Sequence, residues 1–379
     1  SFYSYPYEWS FGQYRDAALL TLEIQERALA HGMTLKDASA VNVTFRGGRA
    51  TFVDALSFET YDEGAPWIAY AQFCRHFLAP LALMAYRDVR LGALMRIHLD
   101  GVPLDLASRL LPATSWLRLG LALHLHTHAR TEAKASGEGS GGKRSARVSM
   151  AGLKGILSNL RGTIERLRPA RSKSEWASYT AEKPYTSGAD SEKGRIVREF
   201  LGKIRPGTVW DLGANTGEYS EIARELGADV VALEQDPVCV DEMYARWKGK
   251  AGLTPVWMDL SNPGSALGWA HEERESLVER GPADCVLALA LLHHLRIGNN
   301  VPFERIAEFF SSIGRHAIVE FVPKDDPKPQ FLLRAREDIF DDYTQEGFER
   351  AFSTRFKIRE KFPIEGSRRV MYWFGTADS

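Results

Sequence analysis

Val209-Trp210-Asp211-Leu212-Gly213-Ala214-Asn215-Thr216-Gly217-Glu218-Tyr219 decides how the rest of the chain is read. An apolar strand runs into a short loop with two glycines, and a helix follows. Glycine lets the backbone turn tightly and approach a ligand that a Cβ would keep away. The first amides of the following helix have no partner inside it and suit a polar or anionic group. The spacing is Asp-x-Gly-x-x-x-Gly, which departs from the Gly-x-Gly-x-x-Gly of dinucleotide-binding loops.

Working outward from this loop, strands and helices alternate. The pattern predicts strands over 208–212, 229–233, 254–258, 284–288 and 317–321, with helices over 219–226, 238–248, 270–279 and 303–313. Residues 356–361 and 369–374 read as a closing antiparallel pair. Alternation of this kind implies a mostly parallel α/β sheet with helices on both faces. The expected fold is therefore a Rossmann-like sheet with an antiparallel final strand, preceded by a mainly helical N-terminal domain.

The loop resembles motif I of class I S-adenosylmethionine (SAM) dependent methyltransferases, whose folds add a final hairpin to a Rossmann core. That resemblance implies SAM as cofactor. Asp211 would then face the cationic end of the methionine moiety, and the helix start would face its carboxylate. Strand two ends in Leu233-Glu234-Gln235-Asp236; an acid about 20 residues past a glycine loop suits ribose hydroxyls, which points to Glu234 with Asp236 beside it. Strand three ends in Trp257-Met258-Asp259-Leu260, and by resemblance Asp259 accepts from the adenine amino group. Gly213, Asn215, Gly217 and Ala288 complete the expected cofactor set. Ordinary loop glycines and surface acids are the alternative, but three acids in register at three successive strand ends are hard to obtain by chance.

Strand four continues into Leu289-Ala290-Leu291-Leu292-His293-His294-Leu295, similar to a stretch in many small-molecule methyltransferases. A histidine there serves as general base toward an acceptor hydroxyl or amine, or packs beneath the cofactor; the residues leave both open. The Asn/Asp-Pro-Pro-aromatic signature of enzymes that methylate nucleic-acid amino groups is missing, which disfavours DNA bases as acceptors. Upstream, Trp176, Tyr179 and Tyr185 are candidates for a lid over the cofactor or for packing between domains. Residues 319–344 and the phrase Gly64-Ala65-Pro66-Trp67-Ile68-Ala69-Tyr70 resemble nodulation-associated methyltransferase-like proteins. Within the former, Glu320 and Lys324 are candidate acceptor-pocket residues, or solvated ones.

With 379 residues the chain accommodates two domains. A run of small, charged and glycine residues over 129–147 reads as a linker, separating a domain over 1–128 from one over 148–379. Helical periodicity over 14–30, 67–86 and 117–128, with a Gly-Gly hairpin over 41–53, fills the first domain. Asp37, Asn42 and Asp54 there resemble the catalytic and metal-binding layout of kinase-like and aminoglycoside-phosphotransferase-like folds. Leu35 stands where that family has His, Ala55-Leu56 where it has glycine, and no glycine loop with a lysine precedes them. A turn-forming Asp and Asn beside a hairpin account for the same residues.

A net charge of −1 argues against a strongly electrostatic nucleic-acid binder, and the basic stretch 143–173 has no interleaved aromatics. Three widely spaced cysteines fit a reducing compartment and give no metal signal. No apolar run has membrane-span length, so a cytoplasmic location is the default expectation; the absence of an initial Met fits a fragment or a processed chain. The expected activity is methyl transfer from SAM to an oxygen or nitrogen of a small-molecule acceptor. The alternatives are a SAM-binding scaffold with a kinase-like recruiting domain and, less well matched, an NAD-linked oxidoreductase. Nothing in the sequence addresses oligomeric state.

Overall fold

The computed structural model describes residues 2–130, 147–170, 187–334 and 336–376. The chain divides into two compact units, one of Tyr3–Lys173 with Tyr244–Lys248, the other of Ser1–Phe2, Ser174–Met243 and Gly249–Ser379. Residues 131–146 of the expected linker, and Trp176, Tyr179 and Tyr185, lie outside the described residues.

Helix Phe11–Ala30 is central to the first unit. Ser10 caps it, its hydroxyl accepting from the Gln13 backbone amide while the Gln13 side-chain carbonyl accepts from the Ser10 backbone amide at 3.0 Å. Helix Met150–Arg166 buries Leu153, Leu157, Leu160 and Ile164, four residues on one face, and packs on Phe11–Ala30. That helix therefore keeps company with the first unit, although the sequence boundary groups it with the second. Four short strands form two antiparallel pairs, β1 (Met33–Leu35) with β4 (Phe58–Thr60) and β2 (Val43–Arg46) with β3 (Arg49–Phe52). The second pair is the expected hairpin.

The helical run 67–86 begins at Tyr70 and widens to a π-type turn over Cys74–Leu78. Its cause is local. Pro80 has no amide hydrogen for the carbonyl of His76, four residues back, and the Tyr14 hydroxyl donates to that carbonyl at 2.7 Å instead.

The second unit holds a seven-stranded sheet: β5 (Thr208–Leu212), β6 (Asp229–Glu234), β7 (Leu253–Trp257), β8 (Ala283–Ala288), β9 (Gly314–Phe321), β10 (Lys357–Pro363) and β11 (Val370–Gly375). Their spatial order is β10-β11-β9-β8-β5-β6-β7. β5 to β9 pair in parallel, and β11 lies antiparallel between β9 and β10. This is the mostly parallel Rossmann-like sheet with an antiparallel final strand expected from the sequence. The chain runs outward from β5 through β6 to β7, then returns to β8 on the other side, so the order reverses between β5 and β8. In open α/β sheets the crevice beyond the strand ends at that reversal is where ligands bind. The two outer strands are β7, which carries Pro255 mid-strand, and β10, which alternates exposed Lys357, Arg359, Lys361 and Pro363 with half-buried residues.

Parallel strands covered on both faces are apolar throughout, as Val230–Leu233 and Cys285–Ala288 are here. Beneath one face, Phe303, Phe310, Phe321, Tyr343, Phe348 and Phe352 build an aromatic core, the Phe348 and Phe352 ring centres 4.5 Å apart. Helix Phe303–Ile313 forms as expected. The helix expected over 270–279 does not. Only Leu277 of that segment is buried, while Ala270 and His271 adopt left-handed backbone in a tight turn closed by the Leu267–Arg274 bridge. Without an apolar face to bury, helical propensity alone does not hold so short a segment.

Candidate functional site

The loop between β5 and helix Glu218–Glu225 is held by backbone chemistry. Gly213 and Gly217 sit at φ 77° and 82°, where a Cβ is disfavoured, and Asn215 between them at φ 50°. The Gly213 and Ala214 amides donate to the Leu233 carbonyl at 2.9 and 3.0 Å, tying the loop to β6. Asp211, at the end of β5, is buried and accepts from the Ser220 hydroxyl at 2.6 Å, linking the strand to the helix past the loop. Burial pushes its carboxyl up to about 6, against the lowering effects of Ser220 and nearby Lys193.

Glu234 ends β6, also buried. One carboxylate oxygen accepts from the Asn215 amide at 2.8 Å and the other from the Asp236 amide at 2.9 Å. Its orientation is thereby fixed, and each oxygen keeps a lone pair for another donor. Burial raises its pKa, opposed by those amides. Asp236 accepts from the Val238 amide at 2.8 Å at the start of helix Pro237–Trp247. Asp259, past the end of β7, is exposed and accepts from the amide and hydroxyl of Ser261 at 2.8 and 2.7 Å. Asp211, Glu234 and Asp259 thus stand at the carboxyl ends of three adjacent parallel strands, the first two tied to the glycine loop and the helix that follows it. The Asn215 side-chain carbonyl is buried there without a hydrogen-bond partner.

Across the order reversal, β8 ends at buried Ala288, and Ala290 follows in left-handed backbone at φ 51°. His293 is fully buried, and neither ring nitrogen has a hydrogen-bond partner. Its ring centre lies 4.2 Å from that of His294. Burial holds His293 well below the usual imidazole range, reinforced by His294, Lys328 and Lys193. Burial, with Lys328, brings His294 down to about 4. Burial thus favours the neutral form of both rings.

Of the two acceptor-pocket candidates, the structure separates one from the other. Lys324 reaches away to the Phe340 carbonyl at 2.9 Å and Asp338 at 2.7 Å. Glu320 is fully buried at the end of β9, one oxygen 2.6 Å from Lys193 Nζ and the other 3.1 Å from Arg369. Arg369 in turn grips Asp326 with two bonds at 2.8 and 3.0 Å. Lys193, on helix Ser187–Ile204, also lies 4.7 Å above the Tyr219 ring. Sequence reasoning missed Lys193, Arg369, Asp326 and Ser220. The one local signal was Glu320 itself, a carboxylate inside the apolar run Ile318-Val319-Glu320-Phe321-Val322, which demands buried partners.

In the first unit, Asp37 closes its own turn by accepting from the Ser39 amide at 2.8 Å. Ser57 joins the other two kinase-like candidates, accepting from Asn42 at 3.0 Å and donating to Asp54 at 2.6 Å. Among the described residues no cluster of His, Cys, Asp and Glu is placed to hold a metal, and no helix is long and apolar enough to cross a membrane.

Comparison with known proteins yields no matching family model. Among curated proteins, the nodulation protein NoeA of Rhizobium meliloti (strain 1021) is 36% identical over 377 residues, covering 98% of this chain and 79% of that protein. Similar solved structures include the N-methyltransferase NodS of Bradyrhizobium japonicum WM9, 9% identical over 50% of this chain and 97% of that one, with a TM-score of 0.39. Another is the magnesium protoporphyrin IX methyltransferase of Synechocystis PCC 6803, solved with bound SAH, 15% identical over 53% and 93%, with a TM-score of 0.37.

Proposed function

The chain belongs to the family of the nodulation protein NoeA, and from that premise we propose that it transfers a methyl group from SAM to an oxygen or nitrogen of a small-molecule acceptor. The observation that carries this reading is the anchoring of Glu234 on the Asn215 amide, which joins the acid at one strand end to the glycine loop of its neighbour. A ribose held by Glu234 would lie against the left-handed loop, where the orphaned Asn215 carbonyl gives a further polar contact. Asp211 suits an ammonium group, the first amides of helix Glu218–Glu225 suit a carboxylate, and exposed Asp259 suits an amino group at the outer end of the crevice.

SAM supplies an activated methyl on a cationic sulfur with a good leaving group, so the protein's task is chiefly alignment. In this reading the acceptor approaches past the Ala288–His293 turn, across the order reversal from the glycine loop. His293 and His294, whose neutral forms burial favours, are the candidates to orient it or receive its proton. No observation favours the scaffold reading.

Calorimetric titration of the full chain with SAM, and with NAD and Mg-ATP as controls, tests the proposal. SAM binding with silent controls is the expected result; binding of NAD in its place would sink it.

A further inference from the structure

We propose that the first unit docks on the surface of an anionic lipid bilayer, through an apolar ridge around Leu117 and Leu119 that carries arginines and no acid. Residues 119–130 form one continuous helical run, widened to a π-type turn over Ala122–Thr127. Its inward face buries Leu121, Leu125 and Ala129. On that side Gly120 admits helix Met150–Arg166 so closely that a Cβ would meet the Thr163 hydroxyl at 1.9 Å. The outward face of such a helix is ordinarily polar. Here Leu119 is 76% exposed, Leu123 four residues on is 49% exposed, and Leu117 just before the run is 84% exposed. Trp116 folds back along the same helix, its ring stacked on buried His126 at 4.3 Å and lying 4.4 Å beneath the Arg130 guanidinium.

Charge says what covers this face. No Asp or Glu occurs between Leu106 and Thr131, while Arg118 stands between the two most exposed leucines and Arg130 sits over the tryptophan. Asp105, just outside the stretch, is already paired with Arg109. The face is therefore apolar and positive, and its partner is apolar and negative. A second copy on a two-fold axis would set the face against itself, arginines against arginines with no acid between them.

Shape agrees with charge. Leucines as exposed as 117 and 119 protrude, and a folded partner would need a fitted pocket for each, whereas a bilayer yields to them. Leucine enters the acyl boundary, tryptophan settles at the headgroup level, and arginine keeps its guanidinium among the phosphates. Anionic lipid supplies the opposite charge. Among the described residues no helix is long and apolar enough to cross a membrane, so the contact is peripheral. It belongs to the first unit and is independent of the chemistry assigned to the second.

The test sediments the full chain with vesicles of phosphatidylglycerol and phosphatidylcholine in equal parts, and with phosphatidylcholine alone, at low and high salt. The mixed vesicles should bind about tenfold or more tightly than the neutral ones, and high salt should close the gap. Arg118→Gln and Arg130→Gln should each weaken binding about fivefold, and Leu117→Ser combined with Leu119→Ser by about tenfold or more. These four side chains are exposed, so thermal unfolding of the variants should match the parent. As a local readout, an environment-sensitive dye on Leu117→Cys should shift to the blue when mixed vesicles are added; the three native cysteines are buried. Protein that stays in the supernatant, vesicle binding without preference for the anionic lipid, or binding indifferent to the leucine pair overturns the proposal. So does self-association in sedimentation velocity that the leucine pair abolishes while vesicles go unbound, which would make this face a contact between two copies.

Discussion

Glu320 Oε2 lies 2.6 Å from Lys193 Nζ, and the two side chains are 0% and 6% exposed. The pair joins the end of β9 to helix Ser187–Ile204, elements more than a hundred residues apart in the chain. Removing one member of such a pair strands the other charge in a low-dielectric interior. Lys193→Met should destabilise the protein by about 3 kcal/mol, the low end for a broken buried pair because Arg369 still faces Glu320. Denaturant unfolding checks this, and a change below about 1 kcal/mol would show that the pair contributes little.

Glu234→Ala removes the carboxylate that the Asn215 and Asp236 amides orient. SAM affinity should fall by about 1–3 kcal/mol, the worth of charged hydrogen bonds, which is roughly 5- to 150-fold in Kd. Calorimetry on folded variant protein measures it, and an unchanged Kd would remove Glu234 from the cofactor site.

Asp211 gives the site a pH dependence. Its folded pKa of about 6 stands above the unfolded value near 3.9, so between about pH 4 and 6 the folded state holds more protons than the unfolded state. Its contribution to stability is full below the lower value and is lost as pH rises through the higher one. Ionised Asp211 is the form that pairs with an ammonium group, so SAM should bind about tenfold more weakly at pH 5 than at pH 7. Asp211→Asn should flatten that profile. A wild-type Kd that stays constant across the range would contradict the assignment.

Gly217→Ala places a Cβ on a residue at φ 82° that also starts helix Glu218–Glu225. The left-handed conformation costs a non-glycine residue about 1–2 kcal/mol, and thermal unfolding should register a loss of that size. SAM affinity should fall as well, because the turn aims the first helix amides into the crevice. A variant as stable as the parent would mean that the loop relaxes freely.

The sheet was legible because β5, β6 and β7 each carry a short apolar run with an acid at or just past its end, a pattern contained within a dozen residues. Asp211, Glu234 and Asp259 could be read as a set for the same reason: the strand ends that bear them are adjacent, and parallel register aligns them. The charged cluster could not. Lys193 sits in an ordinary amphipathic helix, and Arg369 beside a Ser-Arg turn; nothing local marks either as buried. Burial of a charge is decided by its partner, and Glu320 finds both of its partners far along the chain. The segment 270–279 misleads for the opposite reason, since its composition favours a helix while the fold offers it no surface to cover.

The two outer strands of the sheet bear on how the protein behaves at high concentration. An exposed strand edge is a template on which another chain can add a strand. On β7, Pro255 interrupts the row of donors such a strand would need. On β10, Lys357, Arg359 and Lys361 put like charges along the rim, and Pro363 ends it. Both borders of the sheet thus resist edge-to-edge growth, which protects the folded chain from the route by which open sheets turn into fibres.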